Sequence, residues 1–352
     1  MAFERALGTG IIISSSKPIP ERAEQRIRAF VEEYESVLSR FRADSLVSRM
    51  ACAEHGGDFE FPAWAQPLFA IYDEFYAATH GAFDACVGAD LLALGYDNSV
   101  KFVPESEAGE GKDENISSGS WSKYRRALPV KWADISRDSG STTLHTNQPV
   151  QLDFGAAGKG YFVDFVTKII KDELGGDSLS NSDSPSDCDS PADCDFLVNA
   201  GGDMCACFSE EHSQIKVALE NPFDTTQAVG VVSIASGALC ASSSARKRWK
   251  VKEASYLGKD ASGFESNLIA THLINALDGT SAQKLSASWT YVPAKTCDFP
   301  TAYADALATA LFVSQESDLQ KIVQTTSAEF AVISPNHALC KTCAFPAHFF
   351  AG

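Results

Sequence analysis

Along residues 20–40 the apolar positions return every third or fourth residue. Ile27, Phe30, Val31, Tyr34, Val37 and Leu38 form one stripe, and the spacing predicts an amphipathic helix. Residues 63–79 repeat the pattern and end at His80-Gly81, which predicts a second helix. Residues 302–314 are strongly apolar with helical composition. β-like runs fall at 5–14 (interrupted by Gly8), 151–154, 196–199, 204–208, 215–219, 230–234, 288–292 and 330–333. The run at 151–154 leads into a glycine-rich turn and a helix predicted over 161–174. Strands and helices mix without a regular βαβ rhythm. That points to an α+β fold, a mixed or antiparallel sheet with flanking helices, rather than a doubly wound sheet.

Two stretches break the globular pattern. Residues 104–119 (PESEAGEGKDENISSG) are polar and acidic, and residues 177–195 alternate Ser and Asp around two prolines. Neither can bury apolar area, so both read as solvated, flexible insertions. The chemistry-bearing segments fall on both sides of each, so residues 1–352 read as one domain.

Composition narrows the function classes. Of 352 residues 45% are hydrophobic and 21% charged, and the formal net charge is −17. Such an acidic surface repels phosphate backbones and anionic lipid, which argues against nucleic-acid and membrane-surface roles. No apolar run approaches the roughly 20 residues of a membrane span. Glu4 and Arg5 precede a short Ile11–Ile13 patch without the layout of an export signal, and no cysteine precedes Cys52. A cytoplasmic protein is therefore expected, with its ten cysteines reduced. Cys340 and Cys343, flanked by His337 and His348, offer ligand types that zinc prefers. They are bunched tightly and lie in an apolar tail, so ordinary thiols are the plainer reading.

Several segments could carry chemistry. In Asp153-Phe-Gly-Ala-Ala-Gly-Lys-Gly160 three glycines and Lys159 stand between a predicted strand and a helix start, a combination suited to a pyrophosphate. It is neither a GxxxxGK[ST] nor a GxGxxG loop, and a tight turn with a surface lysine fits equally. Asp305 and Thr309 stand four apart, so on a helix a carboxylate and a hydroxyl share a face. Two hard oxygens on one wall are half of a Mg²⁺ site, though Asp near a helix start is also ordinary dipole compensation. His272 lies between a β-like run and a turn, where it could act as a general base or as a plain structural histidine. The Gly81-Ala-Phe-Asp84 and Asn199-Ala-Gly-Gly-Asp203 turns complete the set. No GxSxG elbow is present, and Ser242-Ser243-Ser244 has no histidine nearby in sequence.

The order of these segments closely resembles the FAD:protein FMN transferases, the ApbE-like flavin transferase family. Leu7-Gly8-Thr9, Gly81–Asp84, Leu94-Gly95-Tyr96, Asp153–Tyr161, Val198–Asp203, Ala241–Ser243, His272–Ile274 and Ala304–Leu311 follow one another as in that family, from about Phe3 to about Ile333. The resemblance implies Mg²⁺-dependent transfer of FMN from FAD to a Thr or Ser hydroxyl of a target flavoprotein, with release of AMP. By position, Asp305 and Thr309 would ligate the metal through side chains and Ala156 through its carbonyl. Leu7, Ala82, Phe83, Asp84, Lys159 and Ile274 would line the FAD site, and His272 would be the base. The acceptor is expected to be a cytosolic flavoprotein such as a reductase. The chain departs from the family pattern at Leu7 (commonly Met), Asn275-Ala276 (commonly Asp-Pro) and Ser243-Ser244 (commonly Ser-Gly). An FAD pyrophosphatase yielding FMN and AMP, a non-catalytic flavin carrier, and a zinc-stabilised module are the competing readings.

Overall fold

The stripe at 20–40 forms a helix whose Ile27, Phe30, Tyr34, Val37 and Leu38 are buried, as an apolar face packed on a core must be. A computed structural model describes residues 1–97, 100–102, 130–174, 195–208, 214–252 and 265–350. The insertion expected at 104–119 lies outside the described residues, as does all of 177–195 except Asp195.

The helices are α1 (Glu21–Leu38), α2 (Leu46–Cys52), α3 (Ala65–Ala78), α4 (Gly88–Ala93), α5 (Gly158–Leu174), α6 (Pro300–Val313) and α7 (Gln320–Thr326). The N-terminal strands are β1 (Ala2–Ala6), β2 (Thr9–Ser15), β3 (Gly57–Glu60), β4 (Thr143–Thr146), β5 (Phe196–Ala200) and β6 (Asp203–Cys207). Next come β7 (Ile215–Asn221), β8 (Asp224–Ile234), β9 (Ser236–Ser243), β10 (Arg248–Lys252), β11 (Glu265–Thr271), β12 (Ile274–Asn275) and β13 (Thr280–Ser281). The last are β14 (Ala287–Pro293), β15 (Glu329–Ile333), β16 (Leu339–Lys341) and β17 (Ala347–Phe349).

Eight strands pair in the order β1-β2-β5-β6-β9-β14-β15-β16, every neighbouring pair antiparallel. A small antiparallel sheet, β17-β8-β7, covers one face and the helices cover the other. The fold is thus α+β with an antiparallel sheet, as the mixed pattern implies. Strand alternation sorts the two cores. On β9, Ala238 and Cys240 join the helix-side core while Leu239 joins the core under the small sheet. On β14, Ala287 and Trp289 face the small sheet. Ser288 and Thr290 face α6, where their hydroxyls donate to the carbonyls of Ala308 at 2.7 Å and Ala304 at 2.5 Å.

Helix α6 is enclosed almost all round, with Ala302, Ala304, Ala306, Ala308 and Ala310 at zero exposure. Its small side chains let the sheet and α5 approach closely. The approach is tightest at Gly160, where a Cβ would lie 2.2 Å from the Thr301 carbonyl oxygen. No residue of its own caps α6; Asp164 on α5 does so, accepting from the backbone N–H of Thr301 at 3.0 Å and of Ala302 at 2.9 Å.

Two expectations are corrected. Residues 151–154 form no strand: the Asp153 N–H bonds the Ala85 carbonyl at 2.7 Å, and nothing continues that bond into a ladder. The helix expected from residue 161 begins at Gly158, so Lys159 and Gly160 belong to its first turn.

Candidate functional site

A cleft of about 650 Å³ opens where α5, α6, β9, the β1–β2 hairpin and the β11–β12 turn converge. Leu7, Phe83, Asp84, Ala156, Lys159, His272, Ile274, Asp305 and Thr309 all line it. Ala82 does not; it is buried behind the wall, and its carbonyl accepts the Ala276 N–H at 3.0 Å.

Local chemistry places each group. The two-residue turn joining β1 and β2 has φ of 52° at Leu7 and 72° at Gly8, the left-handed backbone such hairpins demand. Leucine rarely adopts it; here its N–H donates to Glu35 Oε1 at 2.7 Å, which holds the turn at the cleft rim. Phe83 packs against Tyr72 and Phe75, with ring centroids 5.1 and 5.2 Å apart. Asp84 accepts from the backbone N–H of Cys86 at 2.7 Å and of Trp132 at 3.1 Å, so its carboxylate pins two segments of wall. The loop carrying Ala156 is braced by Asp153, which accepts from the Gly155 N–H at 2.7 Å and pairs with Arg40 at 2.5 Å. Arg40 in turn lies over the rings of Phe41 and Tyr96, 4.1 and 4.7 Å from their centroids.

At the cleft floor the early start of α5 changes the expected chemistry. The positive end of the helix does not stand open for a phosphate: the Gly160 N–H donates to Asp305 Oδ2 at 3.0 Å. Asp305 therefore caps α5 from α6, just as Asp164 caps α6 from α5. Lys159 Nζ bonds Asp203 and lies 3.4 Å from Asp305 Oδ1. Burial alone would lower the Lys159 ammonium pKa, but the charges of Asp203 and Asp305 outweigh it and raise it. Burial and the nearby Asp203 push Asp305 up to about 7, against the pull of Lys159 and the Gly160 N–H.

The oxygens here fit a hard divalent cation. Asp305, Thr309 and Ala156 line the same cleft, and Thr309 Oγ1 sits 3.3 Å from Ser242 Oγ. Asp203 Oδ1 is buried without a hydrogen-bond partner. Carboxylate, hydroxyl and carbonyl oxygens are the donors Mg²⁺ takes, and a cation would relieve the crowding of two buried carboxylates. Among the described residues no three His, Cys, Asp or Glu side chains gather, so such a cation would complete its shell with hydroxyl and carbonyl oxygens and substrate or water.

His272 lies between β11 and β12, partly exposed to the cleft, with Nδ1 buried and unpartnered. Burial, then the charges of Lys247 and Lys159, hold its pKa well below the ordinary value, so the ring is neutral and able to accept a proton. At the Asn275-Ala276 departure, Asn275 Oδ1 accepts the Leu277 N–H at 3.0 Å. The Ala276 N–H that reaches Ala82 is one that a proline could not supply. Ser243 and Ser244 both donate to the Ser286 carbonyl, at 3.2 and 3.3 Å, so the second serine finds a structural use where glycine is common.

Asp203, Ser242 and Lys247 also line the cleft; the sequence marks the turn that carries Asp203 and the serine run that carries Ser242 but assigns none of the three a role. Asp203 was the most legible of them, because the Gly201-Gly202 turn ends on it. The four residues of the zinc reading are separated. His337 stacks on Phe223 with centroids 3.8 Å apart, Cys340 and Cys343 are exposed on and beside β16, and His348 lies on β17 in the other sheet. The tail is docked instead through Phe345, which is 3% exposed in the core under the small sheet.

The profile of the ApbE family matches residues 7–179 and 192–333. No curated protein matches the chain. Solved structures resemble it across nearly their whole length. An ApbE protein from Thermotoga maritima is 17% identical with a TM-score of 0.69, covering 98% of this chain and 97% of that one. The flavin transferase ApbE from Vibrio cholerae is 16% identical with a TM-score of 0.66, over 98% and 97%. The apo flavinyl transferase ApbE from Pseudomonas stutzeri is 20% identical with a TM-score of 0.61, over 98% and 96%.

Proposed function

Because the chain belongs to the ApbE family, we propose that it transfers FMN from FAD to a Thr or Ser hydroxyl of a target flavoprotein, releasing AMP. The observation that carries this reading is the convergence of Lys159, His272, Asp305, Thr309 and Ala156 on one cleft, from segments scattered along the chain. We read residues 1–352 as one catalytic domain, since its main core draws on residues from Ala6 to Val332.

In the proposed reaction the acceptor hydroxyl oxygen attacks the flavin-side phosphorus of FAD. The new P–O ester bond forms, the bond to the bridging oxygen breaks, and AMP departs with that electron pair. The hydroxyl proton passes to the neutral His272 imidazole, whose depressed pKa keeps it free to receive one near neutral pH. Lys159 places a full positive charge at the floor, held in position by Asp203. Mg²⁺, held by Asp305, Thr309 and the Ala156 carbonyl, would supply the charge neutralisation that pyrophosphate cleavage demands. Leu7, Phe83 and Ile274 supply apolar wall that keeps bulk water off the reacting centre. The acceptor is proposed to be a cytosolic flavoprotein such as a reductase with an FMN-attachment segment. Among the described residues no helix is long and apolar enough to cross a membrane.

The test is incubation of the full-length protein with FAD, Mg²⁺ and an acceptor bearing a flavin-attachment threonine, read by intact mass and in-gel flavin fluorescence. A metal-dependent gain of one FMN residue is expected. Free FMN and AMP without labelling would replace transfer by hydrolysis, and bound but unchanged FAD would reduce the protein to a carrier.

A further inference from the structure

Among the described residues three cationic side chains of Lys or Arg line the cleft, and two are already engaged. Lys159 is held by Asp203 and Asp305, and Arg246 at the rim is clamped by Glu220, with Nε 2.7 Å from Oε1. The third, Lys247, is half-buried in the turn joining β9 to β10, and its ammonium makes no hydrogen bond or ion pair among the described residues. It nevertheless lies within electrostatic reach of Asp153, Asp203, Asp305, Lys159 and His272. Burial first, and then the charge of Lys159, disfavour its ammonium form.

An unpaired, partly desolvated ammonium is unfavourable unless an anion meets it. Its neighbours narrow the choice of anion. Lys247 lines the same cleft as the candidate base His272, and its charge acts on that ring. In an in-line displacement the base stands beside the attacking oxygen, on the side of the phosphorus that is being transferred. A cation there faces the non-bridging oxygens of that phosphate.

Resting on the flavin-transfer reading above, we propose that Lys247 is a second phosphate-binding residue of the cleft, which grips the flavin-side phosphate of the dinucleotide donor. Lys159 serves the floor through its carboxylate partners, and Lys247 serves the roof beside His272. The division explains why a strongly acidic chain keeps one cation in its cleft without a direct ion-pair partner among the described residues.

The experiment compares equilibrium binding of FAD, and of riboflavin as the phosphate-free probe, to wild type, Lys247→Gln and Lys247→Arg in the presence of Mg²⁺. Unfolding midpoints are taken alongside to confirm folded protein. Lys247→Gln should weaken FAD binding about 10- to 100-fold, the worth of one charge-assisted hydrogen bond, and leave riboflavin binding unchanged. Lys247→Arg should recover most of the loss. Equal weakening of both ligands, or unchanged FAD binding in Lys247→Gln, would overturn the proposal. Wild type binding FAD no more tightly than riboflavin would overturn the flavin-nucleotide reading beneath it, an outcome distinct from either of these.

Discussion

Helices α5 and α6 cap one another, and the two caps differ in where they open. Asp164 reaches from α5 to the first N–H groups of α6, and Asp305 reaches from α6 to the Gly160 N–H of α5. Both carboxylates are buried, and both are pushed up chiefly by burial. Asp164 is sealed between the helices, and its two oxygens accept from the backbone N–H groups of Thr301 and Ala302. Asp305 keeps one oxygen near Lys159, faces Asp203, and borders the cleft. The same device, a buried carboxylate on a helix N-terminus, is enclosed in one case and in the other borders the cleft beside a cation, the setting in which the proposed chemistry needs it.

Exchanging either carboxylate for alanine should separate the two roles. Asp305→Ala should lower FMN transfer by about 10³-fold or more, with little loss of stability, because it also removes a charge crowded against Asp203. Transfer rates and unfolding midpoints measured together check this; matching losses in both would erase the distinction.

His272→Gln should lower the transfer rate about 10²- to 10⁴-fold without altering either cap. The pH profile follows from the depressed pKa. The ring stays neutral below the ordinary histidine value of 6.5, so the acid limb of kcat/KM should lie below that value. Stability runs the same way. The unfolded chain takes up a proton as pH falls through about 6.5 and the folded one does not, so stability that is whole above that pH is lost below it. An acid limb above 6.5 would remove His272 as the base.

Asp164→Ala should orphan two buried N–H groups and cost about 2–4 kcal/mol, read from denaturant unfolding, while transfer by the folded fraction persists. A rate loss as large as that of Asp305→Ala would join the two sites functionally. The smallest expected effect is on metal removal. Chelation should lower the stability of wild type by about 1–3 kcal/mol and leave Asp305→Ala and its own chelated sample alike. An equal shift in both would place the cation elsewhere.

Much of this was legible along the chain. The stripes of α1 and α3 follow from helical periodicity, and Asp305 and Thr309 share a wall because four residues make about one turn. Strand β9 was not legible: Ser236–Ser243 reads SGALCASS, small residues with neither β-branching nor alternation, and only flanking by β6 and β14 makes it a strand. Gly158 as the start of α5 was hidden for a related reason. Glycines read as a turn, and the helix keeps them because α6 lies too close for any side chain at Gly160.

By itself, then, the sequence determined the elements with a strong period, the α+β character, and the order of segments that marks the ApbE family. These depend on backbone geometry over a few residues or on motif order, which a linear text carries. The tertiary structure alone decided that Asp203 holds Lys159, that Lys247 stands unpaired beside His272, and that the carboxylates exchange caps. The caps join residues 137 and 145 positions apart, so their existence depends on how closely two helices pack, and no local periodicity encodes that distance.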